Sequence, residues 1–203
     1  ILGSFKDIPV TSRVAAEIYT ADIEVGDSNK TLGITDNTPD TSINVPQDIE
    51  DAKMYLDSKL NAPAGGVIST RPLPELNIAV NTTISANPVQ MTIASGTSVS
   101  AADSWDGTLN LPTVKANDSV TVTPDAGKTA AVNRVIEIGC GDTALNFDKA
   151  VKIVIPGEAG KDVGFVRGGV FQKIDTVLTA TTQDAVDAEL LTRGKMDGKQ
   201  DQG

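Results

Sequence analysis

Apolar residues fall in short alternating runs along most of the chain. The densest set lies between residues 132 and 174. There Val135-Ile136-Glu137-Ile138, Val151-Lys152-Ile153-Val154-Ile155, Val163-Gly164-Phe165-Val166 and Val170-Phe171-Gln172-Lys173-Ile174 follow one another. Each run is rich in β-branched residues and bounded by Gly, Pro or Asp, the pattern of consecutive strands and turns. Alternation places Val151, Ile153 and Ile155 on one face of such a strand, and Lys152 with Val154 on the other. Upstream, Leu76-Asn77-Ile78-Ala79-Val80, Val89-Gln90-Met91-Thr92-Ile93, Thr108-Leu109-Asn110-Leu111 and Ser119-Val120-Thr121-Val122 continue the β pattern. Turn residues recur between these runs at the spacing of a sandwich.

Helical spacing is confined to three places. Residues 47–60 put Ile49, Ala52, Leu56 and Leu60 on one face, with Asp48, Glu50 and Asp51 in the first turn and Lys59 in the last. This predicts an amphipathic helix matched to its own dipole. In residues 11–19, Val14 and Ile18 predict a shorter helix, in competition with a strand that continues into Ala21-Asp22-Ile23-Glu24-Val25. Ala185, Ala188 and Leu191 predict another in the tail. Residues 26–46, dominated by Asp, Asn, Thr, Ser, Gly and Pro, read as a long loop or insertion. The expected fold is mainly β: an antiparallel β-sandwich with one or two short helices. Residues 1–66 form an N-terminal arm, loop and helical segment, and residues 67–203 form the sandwich.

Composition narrows the chemistry. The formal net charge is −10 over 203 residues. That argues against nucleic acid and against an anionic membrane surface, both of which need clustered Lys and Arg. Histidine is absent, which removes the commonest general base and transition-metal ligand. Cys140 is the only cysteine, so the chain holds no internal disulfide and no cysteine zinc cluster. It reads as a small buried side chain. No apolar run is long enough to insert in a membrane as a helix. A chain opening at Ile1 rather than Met reads as a mature or processed form, or as a fragment, with processing favoured.

The ordered series Trp105-Asp106-Gly107-Thr108-Leu109-Asn110-Leu111-Pro112-Thr113, Val135-Ile136-Glu137-Ile138-Gly139, Phe147-Asp148-Lys149-Ala150-Val151, Ile155-Pro156-Gly157 and Gly164-Phe165-Val166-Arg167 carries a resemblance. It resembles ZU5-type β-sandwich domains, and more closely the ZU5-like modules of secreted and cell-surface microbial proteins. The resemblance covers residues 89–203. It implies a ZU5/Ig-like sandwich in an extracellular structural module, and no activity. Those modules often carry a cysteine pair where this chain has Leu178 and Gly198. They usually finish with a further Trp-containing strand, before which this chain stops.

Candidate sites are few. Asp36 with Asp40, and Asp197 with Asp201, bring carboxylates together in oxygen-rich loops able to contribute to a calcium site, although neither matches an EF-hand. No other cofactor is expected. Trp105 beside Asp103 and Asp106 is the one place where an aromatic meets acids, but a glycosidase needs more sugar-stacking surface than the lone Trp and two Tyr supply. Gly157-Glu158-Ala159-Gly160-Lys161-Asp162 lacks the spacing and the following helix of a phosphate loop and reads as a hairpin turn. Asn29, Asn81 and Asn117 begin sequons that permit glycosylation outside the cytoplasm.

The expected function is a non-enzymatic structural subunit, extracellular or at the cell surface. It would assemble with copies of itself into a filament, sheath or surface layer, with residues 1–10 of one copy completing the sandwich of the next. The alternatives are an adhesin or binding module for a carbohydrate or surface protein, and a viral capsid or tail component.

Overall fold

The structure is a computed structural model that describes residues 20–56, 66–83, 85–124, 126–141, 143–167, 170–175 and the single positions 182, 185 and 188. In chain order its strands are β1 (Ala21–Glu24), β2 (Thr31–Ile34), β3 (Thr41–Val45), β4 (Lys53–Leu56), β5 (Val67–Ser69), β6 (Leu76–Thr82) and β7 (Ser85–Ile93). They continue as β8 (Val99–Ala102), β9 (Thr108–Lys115), β10 (Val135–Gly139), β11 (Asn146–Phe147), β12 (Val151–Val154), β13 (Gly164–Arg167) and β14 (Val170–Lys173). The fold is mainly β, as its alternating pattern predicts.

Two large sheets dominate. The first runs β1-β3-β6-β7-β12 and the second β10-β9-β4-β2, accompanied by a small sheet β11-β8-β5 and the hairpin β13-β14. One apolar core joins them. The first sheet contributes Ile43, Val45, Leu76, Ile78, Val80, Met91 and Ile93; the second contributes Leu32, Ile34, Met54, Leu56, Leu109 and Leu111. Val25, Ala52, Ile68, Leu73, Val99, Ala101 and Trp105 complete it. Aliphatic side chains fill nearly all of this core, as the 3% aromatic content requires.

The sheets are mixed. Most pairs are antiparallel, but β1 pairs with β3, β3 with β6, and β2 with β4 in parallel. Successive strands β1 to β4 pass back and forth between the two sheets. Ala21 therefore aligns with Thr41, and Thr31 with Lys53. Residues 26–46, expected as a loop, hold β2 and β3 within this winding. Strands from before and after residue 66 share both large sheets, through β3 with β6 and β4 with β9. Residues 20–56 are thus part of the sandwich rather than an appendage to it.

The helix expected over 47–60 is overturned for its described part, since residues 53–56 are strand β4. The signal was ambiguous because residues four apart share a face both in a helix and in a strand. Ala52 and Leu56 fit either. Met54 decides: it is fully buried, while Lys53 and Tyr55 point outward, so the period is two. Asp51, at φ 61°, lies in the left-handed region just before the strand and would interrupt a helix.

The Ser119–Val122 strand is also corrected. Residues 117–119 form a 3-10 turn, and β9 pairs directly with β10, leaving 120–124 outside the ladder. The turn at 157–162 does not close a hairpin, since it carries the chain from β12 in the first sheet to β13 in a separate pair. β5, β8 and β11 escaped the sequence reading. The predicted helix over 11–19 lies outside the described residues, as does most of the tail, of which Ala185 and Ala188 are helical.

Candidate functional surfaces

The outer face of the first sheet is an organised polar surface. Pleating turns Ile43, Ile78 and Met91 into the core and their neighbours outward. Register then aligns two rows across all five strands. One reads Asp22, Ser42, Asn77, Thr92, Lys152, and the other Glu24, Asn44, Ala79, Gln90, Val154. A shallow depression of about 560 Å³ crosses this face over β1, β3, β6 and β7.

Hydrogen bonds hold several of these side chains in place. Asn44 Nδ2 donates to Glu24 Oε2 at 2.7 Å, and Asn44 Oδ1 accepts from Asn81 Nδ2 at 2.9 Å. Asn77 Nδ2 donates to Glu75 Oε1 at 2.8 Å, and Asn77 Oδ1 accepts from Thr92 Oγ1 at 3.1 Å. Alternation within β6 and β7 turns Asn77, Gln90 and Thr92 outward. The sequence carried no signal for the rows, which depend on register.

The first sheet also ends in two unlike edges. β1 carries Asp22 and Glu24 on its outer face; β12 carries Lys152. The inner face of β12 is only partly covered: Val151 packs against the core, while Ile153 remains 44% exposed. Val166 and Val170 on the β13–β14 hairpin are exposed as well. From Thr113 onward no described residue is buried, although this is the stretch richest in apolar runs.

The structure gives Asp36 and Asp40 separate partners. Asp36 Oδ2 accepts from Arg71 Nη1 at 2.7 Å, and this bond holds the Asp36 carboxyl below its ordinary range while raising Arg71. Asp40 Oδ1 accepts the Glu75 N–H at 2.8 Å, and its carbonyl accepts the Ala21 N–H at 2.9 Å. Asp40 therefore ties the start of β1 to the approach to β6. Asp197 and Asp201 lie outside the described residues. No cluster of three or more His, Cys, Asp or Glu side chains placed to hold a metal occurs among the described residues.

Trp105 serves the core. It is 4% exposed, and its Nε1 donates to the Thr108 carbonyl at 2.8 Å. Asp106 Oδ1 accepts the Thr108 N–H at 2.9 Å, which lowers the Asp106 pKa. The ring offers no open face for stacking a sugar. Cys140 is half-buried against the core and bridges to Thr143 just after β10. Two of the sequon asparagines have structural duties: Asn29 closes a turn through Gly26 and Glu24, and Asn81 anchors Asn44. Among the described residues no helix is long and apolar enough to cross a membrane. Comparison with protein-family models, curated proteins and solved structures finds no match to this chain.

Proposed function

We propose that the chain is a non-enzymatic structural subunit, extracellular or at the cell surface, that joins to copies of itself head to tail. The observation that carries this reading is the pair of unlike edges that the first sheet leaves unpaired among the described residues. The described chain enters at Thr20, beside the β1 edge, and β12 forms the opposite edge. Residues 1–10 of one copy add as a strand beside β12 of the next and cover Ile153. Ten extended residues reach roughly 33 Å, ample for a four-residue edge strand. Joining one edge to the opposite edge of another copy is a heterologous contact, and repeated it builds a filament unless the rotation closes a ring. Asp22 and Glu24 on one edge and Lys152 on the other favour this orientation over like edges meeting. The sequence resemblance to ZU5-like surface modules, the missing histidine and the acidic balance support the same reading.

Negative-stain microscopy and sedimentation velocity of three proteins test it: the full chain, the chain without residues 1–10, and Ile153→Lys. A charge at an edge position blocks strand addition. The expected result is filaments from the full chain and folded monomers from both variants. Filaments from either variant, or a full chain that stays monomeric, overturn the proposal.

A further inference from the structure

We infer that the outer face of the first sheet is a binding site for a neutral polysaccharide, laid across the strands. This goes beyond the assembly proposal and does not depend on it. The face is wrong for other polymers. It presents amides, hydroxyls and carboxylates, with Ala79 as the only outward apolar side chain within the depression, so it lacks the apolar anchors of a protein interface. Asp22 and Glu24 repel a polyanion, and the one cation in either row, Lys152, stands at the far edge. Uncharged, hydroxyl-rich chains remain.

The polar groups are arranged for such a ligand. A vicinal diol is matched by a donor and an acceptor side by side, which one primary amide supplies. Asn44 is held between Glu24 and Asn81, and Asn77 between Glu75 and Thr92. Each amide uses one N–H in these bonds and keeps the second, together with a remaining lone pair on its oxygen. Orientation is thus fixed before the ligand arrives, which reduces the entropy lost on binding. Neighbouring strands lie about 4.8 Å apart, close to the length of one sugar ring, so successive rings of an extended chain meet successive strands. The depression, about 560 Å³, is the size of a ligand cleft but shallow, and no aromatic ring lines it. Single-module affinity is therefore weak, and an assembled array multiplies it by avidity.

Affinity electrophoresis through gels containing hydroxyethylcellulose, xylan, galactomannan or dextran tests the inference, with heparin as the polyanion control. The full chain and the monomeric Ile153→Lys variant are run in parallel, so a failure of assembly is read separately from a failure of binding. At least one neutral polysaccharide is expected to retard both proteins, and heparin neither. The double variant Asn77→Ala/Gln90→Ala, altered only at exposed positions, is expected to lose tenfold or more in affinity with an unchanged thermal transition. No retardation by any of the four neutral polymers overturns the inference. So does equal retardation of the double variant, or stronger retardation by heparin.

Discussion

Met54→Ala separates the strand from the helix that the same residues suggested. In β4, Met54 is fully buried and aligned between Leu32 of β2 and Leu109 of β9. Met54 itself is on an interior strand, with edge strand β2 on one side and β9 on the other, and both neighbouring side chains are buried in the core, so the site cannot collapse far around a truncated side chain. Met→Ala in such a place costs about 2–5 kcal/mol, and the poor relaxation here points to about 3–4 kcal/mol. For a domain of this size each kcal/mol moves the melting temperature by about 2–4 °C, giving a fall of roughly 10 °C. Tyr55, the next residue, faces outward at 44% exposure, so Tyr55→Ala should cost about 1 kcal/mol or less. In a helix with Ile49, Ala52 and Leu56 inward, Met54 would face solvent. Its replacement by Ala would then fall within about 0.5 kcal/mol of neutral. Urea unfolding followed by Trp105 fluorescence measures both variants, since Trp105 is the only tryptophan and is buried. An unchanged denaturant slope with a shifted midpoint identifies a native-state stability change. If Met54→Ala costs less than Tyr55→Ala, the two-residue period assigned to β4 is wrong.

Gly107→Ala should destabilise by about 1–3 kcal/mol, because a side chain there is strained by the backbone conformation itself. Gly107 sits at φ 87°, and an added Cβ would lie 3.0 Å from the Leu56 carbonyl and 3.3 Å from the Tyr55 ring. Calorimetry measures it, and an unchanged melting temperature would show that the turn before β9 tolerates another backbone conformation. The Asp36–Arg71 pair makes a pH prediction. Because the folded Asp36 pKa is depressed, the pair's contribution is present above the ordinary value of 3.8 and is lost as pH falls through the lower folded value. Arg71→Met should return the Asp36 pKa toward 3.8 in a carbon-detected NMR titration, and no movement would refute the assignment of that shift to Arg71.

The legible parts of the fold share one property: strands whose alternation is written in Val, Ile, Leu and Met, with an antiparallel partner nearby. Leu76–Val80 and Val89–Ile93 are such a pair, joined by a short turn, and both are strands within β6 and β7. β2 and β3 lack that property. Thr31-Leu32-Gly33-Ile34 and Thr41-Ser42-Ile43-Asn44-Val45 have two apolar residues each, set among Asp, Asn and Thr. Parallel pairing puts their partners a full circuit of the sandwich away, so no local turn advertises them. Burial comes instead from the opposing sheet, and only the three-dimensional winding supplies it. The polar rows on the outer face were hidden for a related reason. Alternation says that Asn77 points out, but only register places it between Ser42 and Thr92.

The C-terminal third shows the opposite relation between sequence and structure. Its runs from Val135 to Lys173 were the clearest strands in the chain, and the structure has β10, β12, β13 and β14 there. Yet none of its described residues is buried, whereas the weakly patterned β2 and β3 bury Leu32, Ile34, Ile43 and Val45. Alternation in Val and Ile records how much apolar surface a strand must cover to be stable. Relative exposure records how much the described chain covers for it. On β12 the two disagree: Val151 and Ile153 share the inner face, the core reaches Val151, and Ile153 stays open at an edge with free backbone on its far side among the described residues. An edge strand with Lys152 and Val154 on its outer face and an uncovered apolar residue beneath offers a place for one more strand. That is the contact the proposed assembly makes.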